Sequence, residues 1–238
     1  LSFFSQGRYR NPMVVRIAAY AYQKGFGGHF HNDNSVAVLR DIPGLVIASP
    51  AHPEDAGAML RTCLAAADVD GAVCAFLEPI ARYHTVDLHE EGDGLWTAPP
   101  NDHHVPVGRA RTHGDGEDLT IVTWANGLFL ALRAQRRLAE AGVDARVVDL
   151  RWLAPLPVED LLSEAAVTGR VLVADETRPT GGVGEAIITA LVTGGFTGEI
   201  RRVCGHDSPN PLGAAAAHVH MSEDQIVDAA LAGATGGR

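Results

Sequence analysis

The sequence predicts an α/β protein whose sheet is mainly parallel and is covered by helices on both faces. Short apolar runs, typical of buried strands, alternate with segments whose apolar residues recur at helical spacing, and turn-forming residues separate them. Parallel strands need a crossover between them, usually a helix, so strict alternation favours a parallel sheet. Apolar residues make up 46% and charged residues 20% of the 238 residues, which is ordinary globular composition.

Composition also excludes several classes of function. The formal net charge is −10, so the chain offers no basic surface to nucleic acid or to anionic lipid. No apolar run approaches the ~20 residues that cross a bilayer, and no signal peptide is visible, so we expect no membrane partner. The cysteines form no Cys-x-x-Cys pair, which indicates a reduced, cytoplasmic compartment. Each is expected to be a small, buried apolar residue: Cys63, Cys74 and Cys204.

The first part of the chain predicts three strands and two helices. Pro53 opens the longer helix, because proline fits a first turn and the carboxylates of Glu54 and Asp55 complement its positive end. The strands are expected at 13–20, 45–48 and 73–77, and the shorter helix at 35–40. The buried stripe of the longer helix is expected at Ala56, Met59, Leu60, Cys63, Leu64 and Ala67.

The second part of the chain alternates more regularly. Strands are expected at 119–124, 145–150, 171–174 and 200–204, and helices at 128–141, 158–167, 184–192 and from Ser222. Gln225, three residues after Ser222, completes the pattern of a capping box. A charged, turn-rich stretch separates the two parts. We therefore expect one domain at 1–86, a linker at 87–104 and a second domain at 105–238.

The segment 27–34, Gly-Gly-His-Phe-His-Asn-Asp-Asn, is the most informative feature of the chain. It follows a predicted strand, and its glycines let the backbone turn sharply and approach a ligand closely. Polar loops at strand ends are where α/β enzymes place their chemistry. The alternative is a pair of loop histidines that bond to backbone. A His-x-His pair can also bind metal, but no carboxylate or thiol cluster supplies further ligands, so no metal site is predicted.

The same segment begins a series of motifs that resembles one enzyme family. The β subunits of thiamine-diphosphate-dependent 2-oxo acid dehydrogenases carry a similar Gly-Gly-His-x-His loop after a similar Pro-x-Val-x-Arg strand, which lies here at 12–16. Further motifs resemble that family in order and spacing at 41–45, 77–79, 105–110, 148–151, 181–185 and 207–209. Each motif alone is weak, whereas together they cover nearly the whole chain.

The resemblance implies a fold and a reaction. Residues 1–86 would be the rear part of a pyrimidine-binding domain of the thiamine-diphosphate type, and 105–238 a transketolase C-terminal-like domain. His31 would be catalytic, beside the thiazolium ring and the bound 2-oxo acid, where imidazole can move a proton near neutral pH. His29 would assist in binding the substrate or the lipoyl group. No residue of the chain is assigned to the cofactor.

The resemblance also implies partners. The magnesium of thiamine diphosphate would be held by an E1 α component or an α-like domain, and a second β copy and a lipoyl-bearing E2 core would complete the assembly. In the family, a glutamate upstream of this region bonds the aminopyrimidine ring of the cofactor, and nothing in this chain matches it. The sequence therefore resembles the back part of a longer or fused enzyme.

Two other functions and several other polar residues remain candidates. One rival is a transketolase or deoxyxylulose-phosphate synthase, and another is a non-catalytic assembly module. Glu78 is expected to be a cap or an interface carboxylate. Helix N-termini attract anions, so Asn126 with Gly127, and Glu176 with the glycines at 181–184, suggest phosphate sites. Their spacing matches no phosphate-binding motif, so we expect helix–sheet packing and a subunit contact instead.

Overall fold

The computed structural model describes residues 4–22, 34–211 and 213–234, which form two sheets with helices around them. The strands are β1 (Met13–Ala19), β2 (Val46–Ala48), β3 (Val73–Pro79), β4 (Arg111–His113), β5 (Leu119–Thr123), β6 (Ala145–Asp149), β7 (Trp152–Ala154), β8 (Arg170–Asp175) and β9 (Glu199–Cys204). The helices are α1 (Val36–Arg40), α2 (Pro53–Asp70), α3 (Asn126–Glu140), α4 (Val158–Thr168), α5 (Val183–Thr193) and α6 (Glu223–Ala234). Short 3₁₀ turns lie at Ile80–Arg82 and Gly213–His218.

The first sheet has the strand order β1-β3-β2-β7. β1, β3 and β2 run parallel, with Ile17 opposite Leu77 and Ile47 opposite Ala75. β7 lies antiparallel to β2, although it comes from the second part of the chain. The two parts of the chain are therefore joined through a sheet as well as through the connecting segment.

The second sheet has the order β4-β6-β5-β8-β9, and all its strands run parallel except β4. Alternate residues of a strand point to opposite faces. Ile121 and Leu172 accordingly pack with α3 and α6 on one face, whereas Val122 and Val173 pack with α4 and α5 on the other. The prediction of an α/β protein with a mainly parallel, doubly covered sheet is confirmed.

The face that carries α4 and α5 also contacts the first sheet. Ile47 and Leu77 from the first sheet share one apolar cluster with Val122, Val148 and Val173 from the second. A continuous core of this kind resists relative movement of the two sheets, because separating them would expose apolar surface to water.

Local sequence signals explain where two of the helices begin or end. Pro53 occupies the first turn of α2, and Gly71 ends that helix in the left-handed region at φ 71°. At α6, the Ser222 N–H donates to Gln225 Oε1 at 2.9 Å, and the Gln225 N–H donates to Ser222 Oγ at 3.2 Å. The predicted capping box is therefore confirmed.

Several expectations were wrong. The three-residue strands β4 and β7 were not predicted. Leu64 of α2 is 53% exposed, whereas Asp55 is buried because Arg111 and Arg151 pair with its carboxylate. Cys204 is only partly buried, although Cys63 and Cys74 are buried as expected.

The stretch 87–104, expected to be an exposed linker, is anchored rather than free. Trp96 is 2% exposed and packs edge-on against Phe129 at 5.1 Å between ring centroids. The Asp93 carboxylate accepts from the main-chain N–H groups of Leu88 and Leu95, both at 2.9 Å, which fixes the turn. The domain limits at 86 and 105 stay a prediction. Within the described ranges, no helix is both long and apolar enough to cross a membrane.

Candidate functional site

The predicted site residues His29 and His31 lie in the stretch 23–33, outside the described residues. Both ends of that stretch are described, because β1 runs into Tyr20, Ala21 and Tyr22, and the chain resumes at Asn34. The described part of the site consists of these two ends and the residues that bind them.

Residues 23–33, which contain His29 and His31, are called the Gly/His segment, and the residues before it have an unusual backbone. Tyr20 and Tyr22 adopt φ values of 69° and 71°, in the left-handed region that bulky side chains disfavour. The buried Tyr20 hydroxyl bonds with Ser49 Oγ at 2.7 Å. Such backbone persists only where the surroundings hold it, and it concentrates at functional sites.

Asn34 joins the two ends of the segment to each other and to the second sheet. The Ala21 N–H donates to Asn34 Oδ1 at 3.1 Å, and Asn34 Nδ2 donates to the main-chain oxygen of Glu176 at 2.7 Å. The Tyr22 hydroxyl donates to the main-chain oxygen of Met221 at 2.8 Å, and its ring lies 4.6 Å from that of His220. Both ends are thus docked on the second half of the protein.

The docking place is the crevice at the carboxyl ends of β5 and β8. From these central strands the chain proceeds to opposite edges of the sheet, so their ends form a topological switch point. In open α/β sheets such a crevice is the usual ligand site. Here Ala21 and Asn34 of the same chain fill it.

Glu176 forms the polar floor of this crevice. Its buried carboxylate accepts from the Asn126 main-chain N–H at 2.9 Å and from Asn126 Nδ2 at 3.0 Å, so it caps the start of α3. Burial raises the pKa of Glu176 to about 8, although the hydrogen bonds from Asn126 oppose the rise. Arg82 Nε donates to Asn126 Oδ1 at 3.1 Å, and the Arg82 guanidinium lies 4.2 Å from the ring centre of Phe129.

The neighbouring Asp175 caps the other candidate helix. Its Oδ2 accepts from the Gly184 N–H at 2.8 Å and from Arg202 at 3.0 Å. Adjacent carboxylates therefore close the N-termini of both α3 and α5. The N–H groups at both places already donate to these carboxyl groups, which agrees with the packing role expected for Glu176 and argues against both phosphate sites.

A cavity of about 650 Å³ opens beside the first sheet, on its α2 side. Glu78 lies on its wall, where it accepts from Arg16 Nε at 2.6 Å and from the Tyr83 hydroxyl. Burial, followed by the bond to Glu78, raises the pKa of Tyr83 to about 12. Arg82 lines this cavity and also bonds Asn126, so the cavity and the crevice adjoin each other.

A second polar cluster lies between the sheets. Asp55 pairs with Arg151 at 3.1 Å and with Arg111 at 3.3 Å. Burial, followed by the charge of Asp55, raises the pKa of the nearby Asp149 to about 8. Burial, followed by the charge of Arg111, lowers the pKa of His113 to about 4. Within the described ranges, no group of three or more His, Cys, Asp or Glu residues could hold a metal ion.

Sequence reasoning did not foresee how Asn34, Asn126 and Glu176 meet. Asn34 and Glu176 are 142 positions apart, and a single polar residue at the end of a strand shows no periodicity. The only signal in the sequence was polarity at the ends of otherwise apolar strands.

Comparison with known proteins places the chain. It matches Transketolase, C-terminal domain, over residues 108–226. It is 32% identical over 202 residues to the 2-oxoisovalerate dehydrogenase subunit beta of Bacillus subtilis (strain 168). The matched region is 83% of this chain and 57% of that protein. It is 30% identical over 217 residues to the mitochondrial pyruvate dehydrogenase E1 component subunit beta-1 of Arabidopsis thaliana. That matched region is 90% of this chain and 56% of that protein.

The chain spans about half the length of the curated relatives it matches. Among solved structures, a split-gene transketolase, described as an inactive β4 tetramer, has the same fold with a TM-score of 0.70 at 24% identity. The match covers 96% of this chain and 68% of that one. The chain therefore belongs to the transketolase C-terminal domain family and is similar to the β subunits of 2-oxo acid dehydrogenases.

Proposed function

We propose that this chain is the β component of a 2-oxo acid dehydrogenase E1. The complete enzyme would decarboxylate a 2-oxo acid on thiamine diphosphate and pass the acyl group to a lipoyl arm. The observation that carries the proposal is the similarity to relatives named 2-oxoisovalerate and pyruvate dehydrogenase β subunits, which runs through most of the chain. The structure adds support, since the ends of the Gly/His segment are held firmly at the crevice of the second sheet.

His31 is the proposed catalytic residue, and His29 is proposed to contact the substrate or the lipoyl group. An imidazole can give or take a proton near neutral pH, and as a cation it would stabilise developing negative charge in a dry pocket. The ordered, strained ends of the segment support this assignment, because preorganised sites are built on backbone that the rest of the protein holds.

The described residues do not fit the diphosphate and magnesium end of the cofactor. They contain no candidate metal-binding group, and Asp175 and Glu176 already close the helix N-termini of the crevice. We therefore assign no step through the cofactor to them. This mismatch supports the proposal that an E1 α component or an α-like domain holds the magnesium.

The proposed assembly contains an α component, a second β copy and a lipoyl-bearing E2 core, in the cytoplasm. The described residues contain no group that could hold the magnesium, which supports a site that another polypeptide completes. The free cysteines Cys63, Cys74 and Cys204 agree with a reduced compartment.

The test is purification of the native assembly through this chain, followed by assays with several substrates. We expect an α-type E1 protein to copurify, and we expect turnover of pyruvate or of a branched-chain 2-oxo acid with a lipoyl acceptor. Turnover of a sugar phosphate alone would favour the transketolase-like rival. An assembly that contains the α component but turns over none of these substrates would support a non-catalytic module.

A further inference from the structure

We propose that Asn34, Asn126 and Glu176 are positioning residues that fix the two ends of the Gly/His segment and so act on catalysis through His31. This inference rests on the proposed function for its catalytic part. Its structural part rests on the described residues alone.

Asn34 uses both ends of its side-chain amide. Its Oδ1 accepts from the Ala21 N–H, which joins the chain before the segment to the chain after it. Its Nδ2 donates to the main-chain oxygen of Glu176, which ties this junction to the second sheet. Because Asn34 is 7% exposed, water is a poor substitute for either partner.

Asn126 completes the attachment from the other side. Its Nδ2 lies 3.4 Å from the main-chain oxygen of Ala21 and 3.0 Å from Glu176 Oε2. Its Oδ1 accepts from Arg82. An amide with an acceptor for its NH₂ group and a donor for its oxygen has one favoured orientation, so Glu176 and Arg82 together aim Asn126 at Ala21.

Burying the carboxyl of Glu176 costs free energy of folding that an apolar residue used only for packing would not cost. A buried ionisable group costs more than an apolar residue of similar volume, unless every polar atom around it is paired. The strained residues Tyr20, Tyr22 and Ala125, with φ values of 69°, 71° and 48°, lie within two positions of Ala21 or Asn126. The buried carboxyl of Glu176 and the strained backbone both lie where the segment is attached. Both cost free energy of folding, which is expected of a site that needs fixed geometry.

The experiment compares Glu176→Gln with Asp149→Asn in the full chain and in the native assembly. Both substitutions replace a fully buried carboxyl whose pKa is raised to about 8 with an amide that cannot ionise, but among the described residues Asp149 has no hydrogen bond to the segment ends. Asn34→Asp is a second test, since it keeps the acceptor for Ala21 and loses the donor to Glu176. Hydrogen exchange of peptides spanning 20–35 reports positioning, and kcat and KM report catalysis.

We expect Glu176→Gln and Asn34→Asp to speed exchange in 20–35 about 10-fold and to lower kcat about 10-fold, roughly the effect of losing one buried hydrogen bond. KM should change less than about 2-fold, because the loss falls on the reacting geometry and not on ground-state binding. Asp149→Asn should change neither the exchange of 20–35 nor kcat.

The proposal is overturned if Glu176→Gln and Asn34→Asp match Asp149→Asn in both exchange and kcat. Slowed turnover without faster exchange would also overturn it, because catalysis would then be altered by another route. If the wild-type assembly turns over no 2-oxo acid, the proposed function fails, and the exchange measurement still decides the positioning role. If Glu176→Gln does not fold, Asn34→Asp decides the matter by the same two readouts.

Discussion

Asn34 and Glu176 join the two sheets of this protein, because the side-chain amide of Asn34 donates to the main-chain oxygen of Glu176 at 2.7 Å. Asn34 follows the Gly/His segment, and Glu176 follows the central strand β8. The contact holds Asn34, which the structure describes directly after the gap at 23–33, at the switch point of the second sheet. A crevice that binds ligands in many α/β proteins serves here as an anchor for the chain's own residues.

Close packing at the crevice predicts a strong effect at Gly127. A Cβ at this position would lie 2.1 Å from Thr123 Oγ1, so Gly127→Ala should destabilise the fold by roughly 1–3 kcal/mol, as overpacking does. Thr123→Ala removes the clashing hydroxyl oxygen and leaves the Cβ of residue 123, which lies 3.5 Å from the added methyl group. The same substitution loses the hydrogen bond from Thr123 Oγ1 to the main-chain oxygen of Ala174. In urea unfolding, the double variant should lose less free energy of unfolding than the two single variants lose in sum. Additive effects would contradict the packing shown here.

The polar cluster between the sheets predicts unequal effects for adjacent carboxylates. Asp55 is 4% exposed and pairs with two arginines, so Asp55→Ala should cost roughly 3 kcal/mol, because the buried end of Arg151 loses its carboxylate and Arg111 is left with Glu54. Glu54 also pairs with Arg111, at 2.7 Å, but its side chain is 43% exposed, so Glu54→Ala should cost less than about 1 kcal/mol. Equal losses in thermal or urea unfolding would show that burial does not govern this cluster.

The raised pKa values of Glu176 and Asp149 predict that stability falls with rising pH. Both carboxyls keep a proton to about pH 8 in the folded state and lose it near pH 4 when unfolded, so the folded state binds more protons between these values. His113 acts in the opposite direction between about pH 4 and 6.5, because its folded pKa is lowered to about 4. The fall should therefore be clearest from pH 6.5 to 8, at roughly 1–3 kcal/mol.

The charged and titratable groups facing Glu176 are Asp175, Arg82, Tyr20 and Tyr22, and burial keeps the pKa of both tyrosines well above this pH range. Urea unfolding at pH 6.5 and pH 8 measures the effect. Asp149→Asn should remove about half of the fall. A profile that is flat in the wild-type chain, or unchanged by Asp149→Asn, would contradict the burial of these carboxyls.

Much of the fold could be predicted because its signals are local. Periodicity located the central strands and the longer helices, and Ser222 with Gln225 marked the start of α6. Strands β4 and β7 span three residues each, which is too short to show a period. Their positions depend on pairing with β6 and β2, respectively, which are distant from them in the sequence.

The predicted site shows the same limit. Polarity after a strand pointed to the Gly/His segment, but nothing local indicated that Asn34 would bond Glu176. In the same way, helical spacing predicted a buried Leu64, whereas the side chain is 53% exposed and the charged Asp55 is inside. The spacing of apolar residues shows which residues share a face of a helix, whereas tertiary contacts decide which face is buried.

The most direct test of the proposed function compares His31→Ala with His104→Ala in the native assembly. His104 is an exposed histidine and serves as the matched control. We expect His31→Ala to abolish nearly all 2-oxo acid turnover while thermal unfolding stays unchanged, and we expect His104→Ala to keep wild-type turnover. Wild-type turnover in His31→Ala would contradict the assignment of His31 as the catalytic residue.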